Sequence, residues 1–496
     1  MKTSQMERDV LERLQPHENL KRLTIRNNGG TRLPHWFGDG SLSNVISLEL
    51  RDCKYCFSLP ALGQLSSLKE LSVSGLDGVM DVGVNFYGNN SSSAVQPFKS
   101  LEILNFRNMA AWEEWCCFEG QNEGGAFQHL RVLTINNCPK LKGQLPQDLP
   151  CLKSLVIEDC QQLESSIPNS PFIEILELKE CEKFLVEHLP STLTSVRING
   201  CGVPDSLLQK ILPNNPIVER LEICNCPNVE LPMSYCYSSL QYLCVDNSCD
   251  SLCSFPLQFF PKLQTLCLLG CKNLEILLVS EENQQLILPL ISLHIRDCPK
   301  FVSFPEGGLS APKLEWCRIA DMENLKSLPE QMHTLLPSLR ELLLIDCPLL
   351  ESFPEGGLPP KLNGLYVYCC SKLIACHMGW GLNRLDSLEY FSIGGVCDNV
   401  ESFPEEGLLP TSLSVLILSK CWNLKSINYK ALLHLTSLKK LYVVDCPRLQ
   451  GLPEEGLPSS LSFLSIRGNC PVVKQRCPKG DRRRLEKDFA HTLCTD

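Results

Sequence analysis

One phrase, Leu-x-x-Leu-x-Leu-x-x-Cys, returns about every twenty to twenty-seven residues through most of this chain. It is spelled Leu130, Leu133, Ile135, Cys138, then Leu152, Leu155, Ile157, Cys160, and again Leu339, Leu342, Leu344, Cys347 and Leu438, Leu441, Val443, Cys446. The two-residue step inside the phrase belongs to a strand, whose successive side chains point to opposite faces. The rest of each unit leaves room for one return segment. Such a unit cannot bury its apolar side alone, so its copies must stack, each covering the next. A solenoid follows from this period.

The period and spelling are those of a leucine-rich repeat. The expected fold is an α/β solenoid, a leucine-rich-repeat horseshoe with a parallel concave β-sheet and a convex side made mostly of loops and short helices. About nineteen strand segments are expected, the first beginning near Leu20 and the last near Leu461. In each, the first, fourth and sixth residues of the phrase point into the core, and the residues between them lie on the open concave face. The return segments repeat a phrase of their own: Phe304-Pro305-Glu306-Gly307-Gly308-Leu309, Phe353-Pro354-Glu355-Gly356-Gly357-Leu358, Phe403-Pro404-Glu405-Glu406-Gly407-Leu408 and Leu452-Pro453-Glu454-Glu455-Gly456-Leu457. Proline stops a helix there and glycine permits a positive-φ turn. The flanking apolar residues should plug the core from the convex side.

A chain of 496 residues would suggest about three domains by length alone, but the core of a solenoid grows with repeat number. The domains expected are residues 1–19 as the remnant of a preceding repeat or an interdomain segment, 20–469 as the solenoid, and 470–496 as a polar cap or tail. Before Leu20 stands only Val10-Leu11-Glu12-Arg13-Leu14, which resembles the return half of a repeat without its strand. The chain therefore reads as cut at its N-terminus and complete at its C-terminus. Within the solenoid, the step from Leu68 to Leu101 is too long and carries a polar stretch, Asn85 to Ser93, expected as an exposed loop. The next step carries Trp112-Glu113-Glu114-Trp115, expected to pack on the convex side.

Twelve of the 29 cysteines occupy the same repeat position: Cys53, Cys138, Cys160, Cys181, Cys201, Cys226, Cys271, Cys298, Cys347, Cys370, Cys421 and Cys446. They are expected as buried, reduced, structural thiols satisfying loop backbone, since a slot that recurs singly is not a disulfide framework. The formal net charge of -10 argues against nucleic acid, because phosphate binding needs a concentrated basic surface. The one dense basic run, Arg482 to Arg484, reads as a solvated terminal segment. The first residues are charged and lack the apolar stretch of a signal peptide, and no apolar run is long enough to span a membrane. The sequons at Asn89 and Asn90 read as a polar loop.

No phosphate-binding loop, dinucleotide fingerprint or His-Glu-x-x-His is present. Cys53 and Cys56 form a lone Cys-x-x-Cys without a second pair, so neither metal nor cofactor is expected, and no constellation of an enzyme is found. Binding has candidates. Concave positions carry Tyr242, Trp316, Arg318, Tyr366, Tyr368, Tyr390, Tyr442 and Phe463, and outward-facing aromatics are typical of recognition surfaces. Arg22, Arg26 and Arg51 give the first repeats a basic character. The competing reading is that stacked strands pack large side chains against one another on this wall.

Longer phrases resemble the leucine-rich-repeat region of plant intracellular immune receptors, the coiled-coil class of nucleotide-binding (NB-ARC) leucine-rich-repeat disease-resistance proteins. They are Val10 to His17 with Asn19-Leu20-Lys21-Arg22-Leu23, Pro34-His35-Trp36, Ser58 to Leu65, and Phe98 to Leu104 followed by Met109 and Trp112 to Trp115. The recurring Cys-Pro, as at Cys298-Pro299 and Cys347-Pro348, is similar too. The resemblance implies a cytoplasmic or nuclear sensor and brake. Its partners would be a pathogen effector, a guarded host protein, or a nucleotide-binding domain normally in cis. The chain carries no coiled coil and no phosphate loop, so nucleotide chemistry does not carry over to it. The alternative is a free-standing interaction adaptor such as a ubiquitin-ligase substrate receptor, although only about nineteen residues precede Leu20, too few for an F-box-like segment. An extracellular receptor would call for a signal peptide, many sequons and disulfide caps.

Overall fold

A computed structural model describes residues 10–14, 16–37, 41–88, 96–116, 125–186, 190–200, 208, 217–233, 235–280, 286–395, 400–453 and 456–470. The sequons at Asn89 and Asn90, Cys201, the basic run at Arg482 and the expected tail beyond Cys470 lie outside these residues. The chain forms two compact units, Met1–Leu240 and Gln241–Asp496.

The first unit contains nine parallel strands of five residues: Arg22–Arg26, Ser47–Arg51, Glu70–Ser74, Ile103–Arg107, Val132–Asn136, Ser154–Glu158, Ile175–Lys179, Ser195–Asn199 and Arg220–Cys224. Each pairs in register with the next. The second unit contains ten: Tyr242–Asp246, Thr265–Leu269, Ser292–Arg296, Trp316–Ala320, Glu341–Ile345, Gly364–Tyr368, Tyr390–Gly394, Val415–Ser419, Lys440–Val444 and Phe463–Arg467. The fold is the parallel-sheet repeat solenoid that the leucine phrase implied. Because the strands pair without slippage, their second and fourth residues form buried ladders, such as Leu48–Leu71–Leu104–Leu133 and Leu268–Ile295–Ile319–Leu344. A one-residue slip would turn every ladder to solvent, so burial itself holds the register. The first, third and fifth residues make the open face.

After each of the nineteen strands the next residue has a positive φ, from Asn27 (54°) and Asp52 (55°) through Asp297 (53°), Asp321 (55°) and Asp346 (46°) to Asp445 (52°). Here the chain must turn out of the sheet, and Asn, Asp or Gly fills most of these positions because they tolerate this left-handed conformation best. The N–H of this residue continues the ladder, donating to the last carbonyl of the next strand, as from Asp346 to Tyr368 (2.9 Å) and from Lys420 to Val444 (2.7 Å).

The repeat cysteine follows immediately. Eleven of the twelve lie among the described residues, all of them free thiols and all buried. Cys181 Sγ donates to Lys179 O (3.0 Å) at its own strand end and reaches Ile157 O (3.5 Å) in the preceding turn. Cys298 does the same toward Arg296 (3.4 Å) and Leu268 (3.6 Å). The slot thus ties strand-end carbonyls of consecutive turns, and where Ser248 takes it the hydroxyl bonds Asp246 O at 2.7 Å. Burial pushes the Cys53 thiol up from its ordinary value. In adjoining slots, the hydrogen bond to the neighbouring thiol, together with burial, holds Cys160 beside Cys138 and Cys347 beside Cys370 far above it. Such thiols are inert toward chemistry that needs thiolate.

The return side is made of loops, short 3₁₀ turns and brief helices such as Ser371–Ala375 and Tyr429–His434. In the Phe-Pro-Glu-Gly-Gly-Leu copy at 304–309, Phe304 and Leu309 are buried, and the Gly308 N–H closes the turn onto Pro305 O (3.0 Å). In the first unit the long step packs inward through a short helix, Val84–Tyr87. Tyr87 Oη donates to Cys116 O (3.0 Å) and accepts from Trp115 Nε1 (2.8 Å). Trp112 and Trp115 are buried among Phe86, Phe98, Phe106 and Phe127. No helix among the described residues is long and apolar enough to cross a membrane.

Candidate binding face

The open faces of the two units differ in chemistry. On the first, charged and amide side chains dominate and several satisfy one another. Arg26 pairs with Glu49 at 3.0 Å and Arg51 with Asp52 at 3.3 Å. Glu222 receives Arg197 at 3.1 Å and also Arg220, and Asn136 bonds Glu158. Arg22 is exposed at the outer edge. The basic character read from Arg22, Arg26 and Arg51 is thus offset by carboxylates at Glu49 and Asp52. Such mutual pairs at a wet surface contribute little to stability, but they engage part of the charge on this face.

The second unit's face is aromatic and aliphatic. Its first column runs Trp316, Glu341, Gly364, Tyr390, its third Arg318, Leu343, Tyr366, Ser392, and its fifth Ala320, Ile345, Tyr368, Gly394. Trp316 and Tyr390 are the most open of the aromatics, 43% and 41% exposed. They stand three strand steps apart, about 14 Å at the usual spacing. Gly364 lies between them because Tyr366 leans across its position: a Cβ there would come within 3.0 Å of the ring. Tyr368 and Ser392 share a hydrogen bond of 2.5 Å between their hydroxyls. Burial, then the charge of Glu341 beside it, pushes the Tyr366 phenol up to about 12. These hydroxyls are therefore neutral donors, suited to amphipathic contact.

The sequence-derived aromatics are not all brought together. Trp316, Arg318, Tyr366, Tyr368 and Tyr390 share neighbouring strands. Tyr442 is 7% exposed and packs on Phe463 with ring centroids 5.3 Å apart, so that pair is mutual packing. Half-buried Tyr242 lies on the same column as Trp316 but beyond Thr265 and Ser292. The aliphatic part of the surface, Leu343, Ile345, Ile417 and Val444, escaped sequence reasoning. Its signal was present as unbroken apolar runs, Leu342 to Ile345 and Val415 to Leu418, where an exposed strand face should alternate.

Charge borders this surface. His294 bonds Ser292 Oγ at 2.6 Å, and burial, then the neighbouring Arg318 charge, pulls its pKa down. Arg296 approaches Asp321 at 3.8 Å. At the N-terminal edge of the strands, an open groove of ≈ 570 Å³ is lined by Trp316, Arg340, Glu341, Lys361, Asn363, Ser387 and Glu389. Its volume suits a small ligand, but such pockets are mostly apolar, whereas this lining is polar apart from Trp316. It fits the wet, charged rim of a protein interface better. Among the described residues no group of three or more His, Cys, Asp or Glu is placed to hold a metal ion.

Residues 1–76 match the R13L1/DRL21 leucine-rich-repeat family. A putative disease resistance protein of Arabidopsis thaliana is 26% identical over 95% of this chain and 46% of its own length. The putative disease resistance RPP13-like protein 1 of the same plant is 32% identical over 61% of this chain and 23% of its own length. The chain thus spans less than half the length of these relatives. Among solved structures, the circular leucine-rich-repeat protein CroV588 aligns with a TM-score of 0.50 at 15% identity, over 86% of this chain and 56% of that one, a likeness of fold. The matched family is one of repeats rather than of catalysis.

Proposed function

We propose that this chain, which carries a leucine-rich-repeat region of the kind found in plant disease-resistance proteins, is the specificity-bearing part of an intracellular immune receptor. It acts in the cytoplasm or nucleus by binding protein. The open face of the second unit recognises a pathogen effector or a guarded host protein, and other surfaces of the solenoid hold a nucleotide-binding module in its resting state. The observation that carries this reading is the contrast between the faces. The first is polar and partly engaged in its own ion pairs, whereas the second leaves Trp316 and Tyr390 standing out of a half-buried floor of Leu343, Ile345, Tyr366 and Tyr368. Large rings beside aliphatic residues and rimmed by charge have the composition of an interface core.

The test is comparative capture from infected and healthy plant tissue. The bait chains are the wild type, a variant with Trp316, Tyr366, Tyr368 and Tyr390 each changed to Glu, and a first-unit control carrying Arg26→Glu and Glu49→Arg. Proteins retained by the wild type and the control but lost from the fourfold variant are the expected result. If the fourfold variant, folded by its melting curve, retains the same proteins, the second face is not the recognition surface.

A further inference from the structure

We propose that the second unit's face takes an acidic segment of its partner protein, with one side-chain carboxylate received by Arg318. This rests on the reading of that face as the recognition surface and specifies its ligand.

Arg318 differs from the paired arginines of the open faces. Arg26, Arg197 and Arg220 are paired with Glu49 or Glu222, and Arg296 approaches Asp321. Arg318 feels the charge of Asp321 but makes no ion pair within 4 Å among the described residues, and its Nε is buried without a hydrogen-bond acceptor. The register explains this. Its neighbours in the same column are His294, a donor or neutral ring, and Leu343, which offers nothing. A guanidinium so placed has its stem fixed by the sheet and its Nε unsatisfied, a donor that suits a carboxylate. A buried polar group without a partner is costly, so an incoming acceptor gains both a hydrogen bond and relief of that cost.

The surroundings narrow the ligand further. The chain as a whole has a formal charge of -10, and Asp297, Asp321 and Asp346 stand directly after the strands, yet the outward strand positions of the second face set Arg296, Arg318, Lys440 and Arg467 against only Asp246 and Glu341. The acceptor that fits Arg318 is therefore a carboxylate of the partner. Trp316 on the same strand, Leu343 on the next and Tyr366 beyond it surround the guanidinium with apolar surface. The partner's Asp or Glu should accordingly be flanked by large apolar side chains. A wet, wholly polar acidic tail would leave those rings uncovered.

Selection of phage-displayed random dodecapeptides on the purified full chain and on its Arg318→Gln variant tests this directly. Selected peptides should be enriched in Asp or Glu flanked by Leu, Ile, Phe or Trp on the wild type, and this enrichment should vanish on the variant. Synthetic copies measured by fluorescence anisotropy should lose about tenfold or more in affinity when the acid is replaced by its amide or Arg318 by Gln. Arg318→Lys should fall between. The proposal is overturned if no acidic motif emerges, or if the same motif emerges on both baits. If Trp316→Ala with Tyr390→Ala abolishes peptide binding while Arg318→Gln does not, only the acidic-ligand assignment fails. If neither substitution changes binding, the recognition face fails with it.

Discussion

At the scale of single residues, the position after each strand governs whether a turn closes without strain. Most turns place Asn, Asp or Gly there, but Lys420 adopts φ 54° with a side chain that gains nothing from that conformation. Left-handed backbone costs an ordinary L-residue about 1–2 kcal/mol, and asparagine less. Lys420→Asn should therefore raise the unfolding free energy by roughly 0.5–1 kcal/mol, measured by urea denaturation, and an unchanged or lowered value would refute the turn argument. The eleven described repeat cysteines were legible as a structural slot because they recur at a fixed distance from the last strand leucine. The residue just before each was not. Its identity varies between Gly270, Asp297 and Lys420, and what recurs is a backbone angle that no single letter encodes. Arg318 was legible as a face residue, but its unpartnered Nε was not, since that depends on His294 and Leu343 arriving beside it from turns more than twenty residues away in either direction.

At the scale of elements, the return segments lock to one another through specific contacts as well as apolar plugs. His377, almost wholly buried after the helix Ser371–Ala375, bonds Ile374 O through Nδ1 at 2.8 Å and Glu405 through Nε2 at 2.7 Å. Glu405 belongs to the next Phe-Pro-Glu copy, so this pair ties two return segments. The hydrogen bond to Glu405 raises the His377 pKa, burial opposes it, and the carboxylate's charge adds to the rise. A histidine raised in the folded state contributes stability that is fully present below its ordinary value of about 6.5. That stability is lost as pH climbs through the raised value. Glu405→Gln should accordingly destabilise the protein more at pH 6 than at pH 9 in parallel thermal melts, and an equal loss at both would show that the ion pair contributes nothing. The Phe-Pro-Glu-Gly-Gly-Leu repeats announced turns and plugs in the sequence. This cross-segment pair was hidden because His377 and Glu405 belong to no shared motif and meet only through stacking.

At the scale of the whole molecule, one repeat unit produces two surfaces of opposite character, because the buried positions of each strand determine the fold and leave the alternate positions free to diverge. In Ser47–Arg51 those positions carry Ser, Glu and Arg, and in Glu341–Ile345 they carry Glu, Leu and Ile. The solenoid itself could be read from the leucines. The recognition face could be read only in part, through its aromatics, and Tyr442 with Phe463 showed that an aromatic at an open position can still be spent on its neighbour. The central claim is that partners are bound where Trp316 and Tyr390 stand exposed. Hydroxyl-radical footprinting, read by mass spectrometry with and without a partner captured by the wild-type chain, tests it most directly. Labelling of Trp316 and Tyr390 should fall sharply on binding, while Trp422 and Tyr55, 49% and 70% exposed and outside the strands, should label as before. Protection of Trp422 or Tyr55 with Trp316 and Tyr390 unchanged would contradict the account.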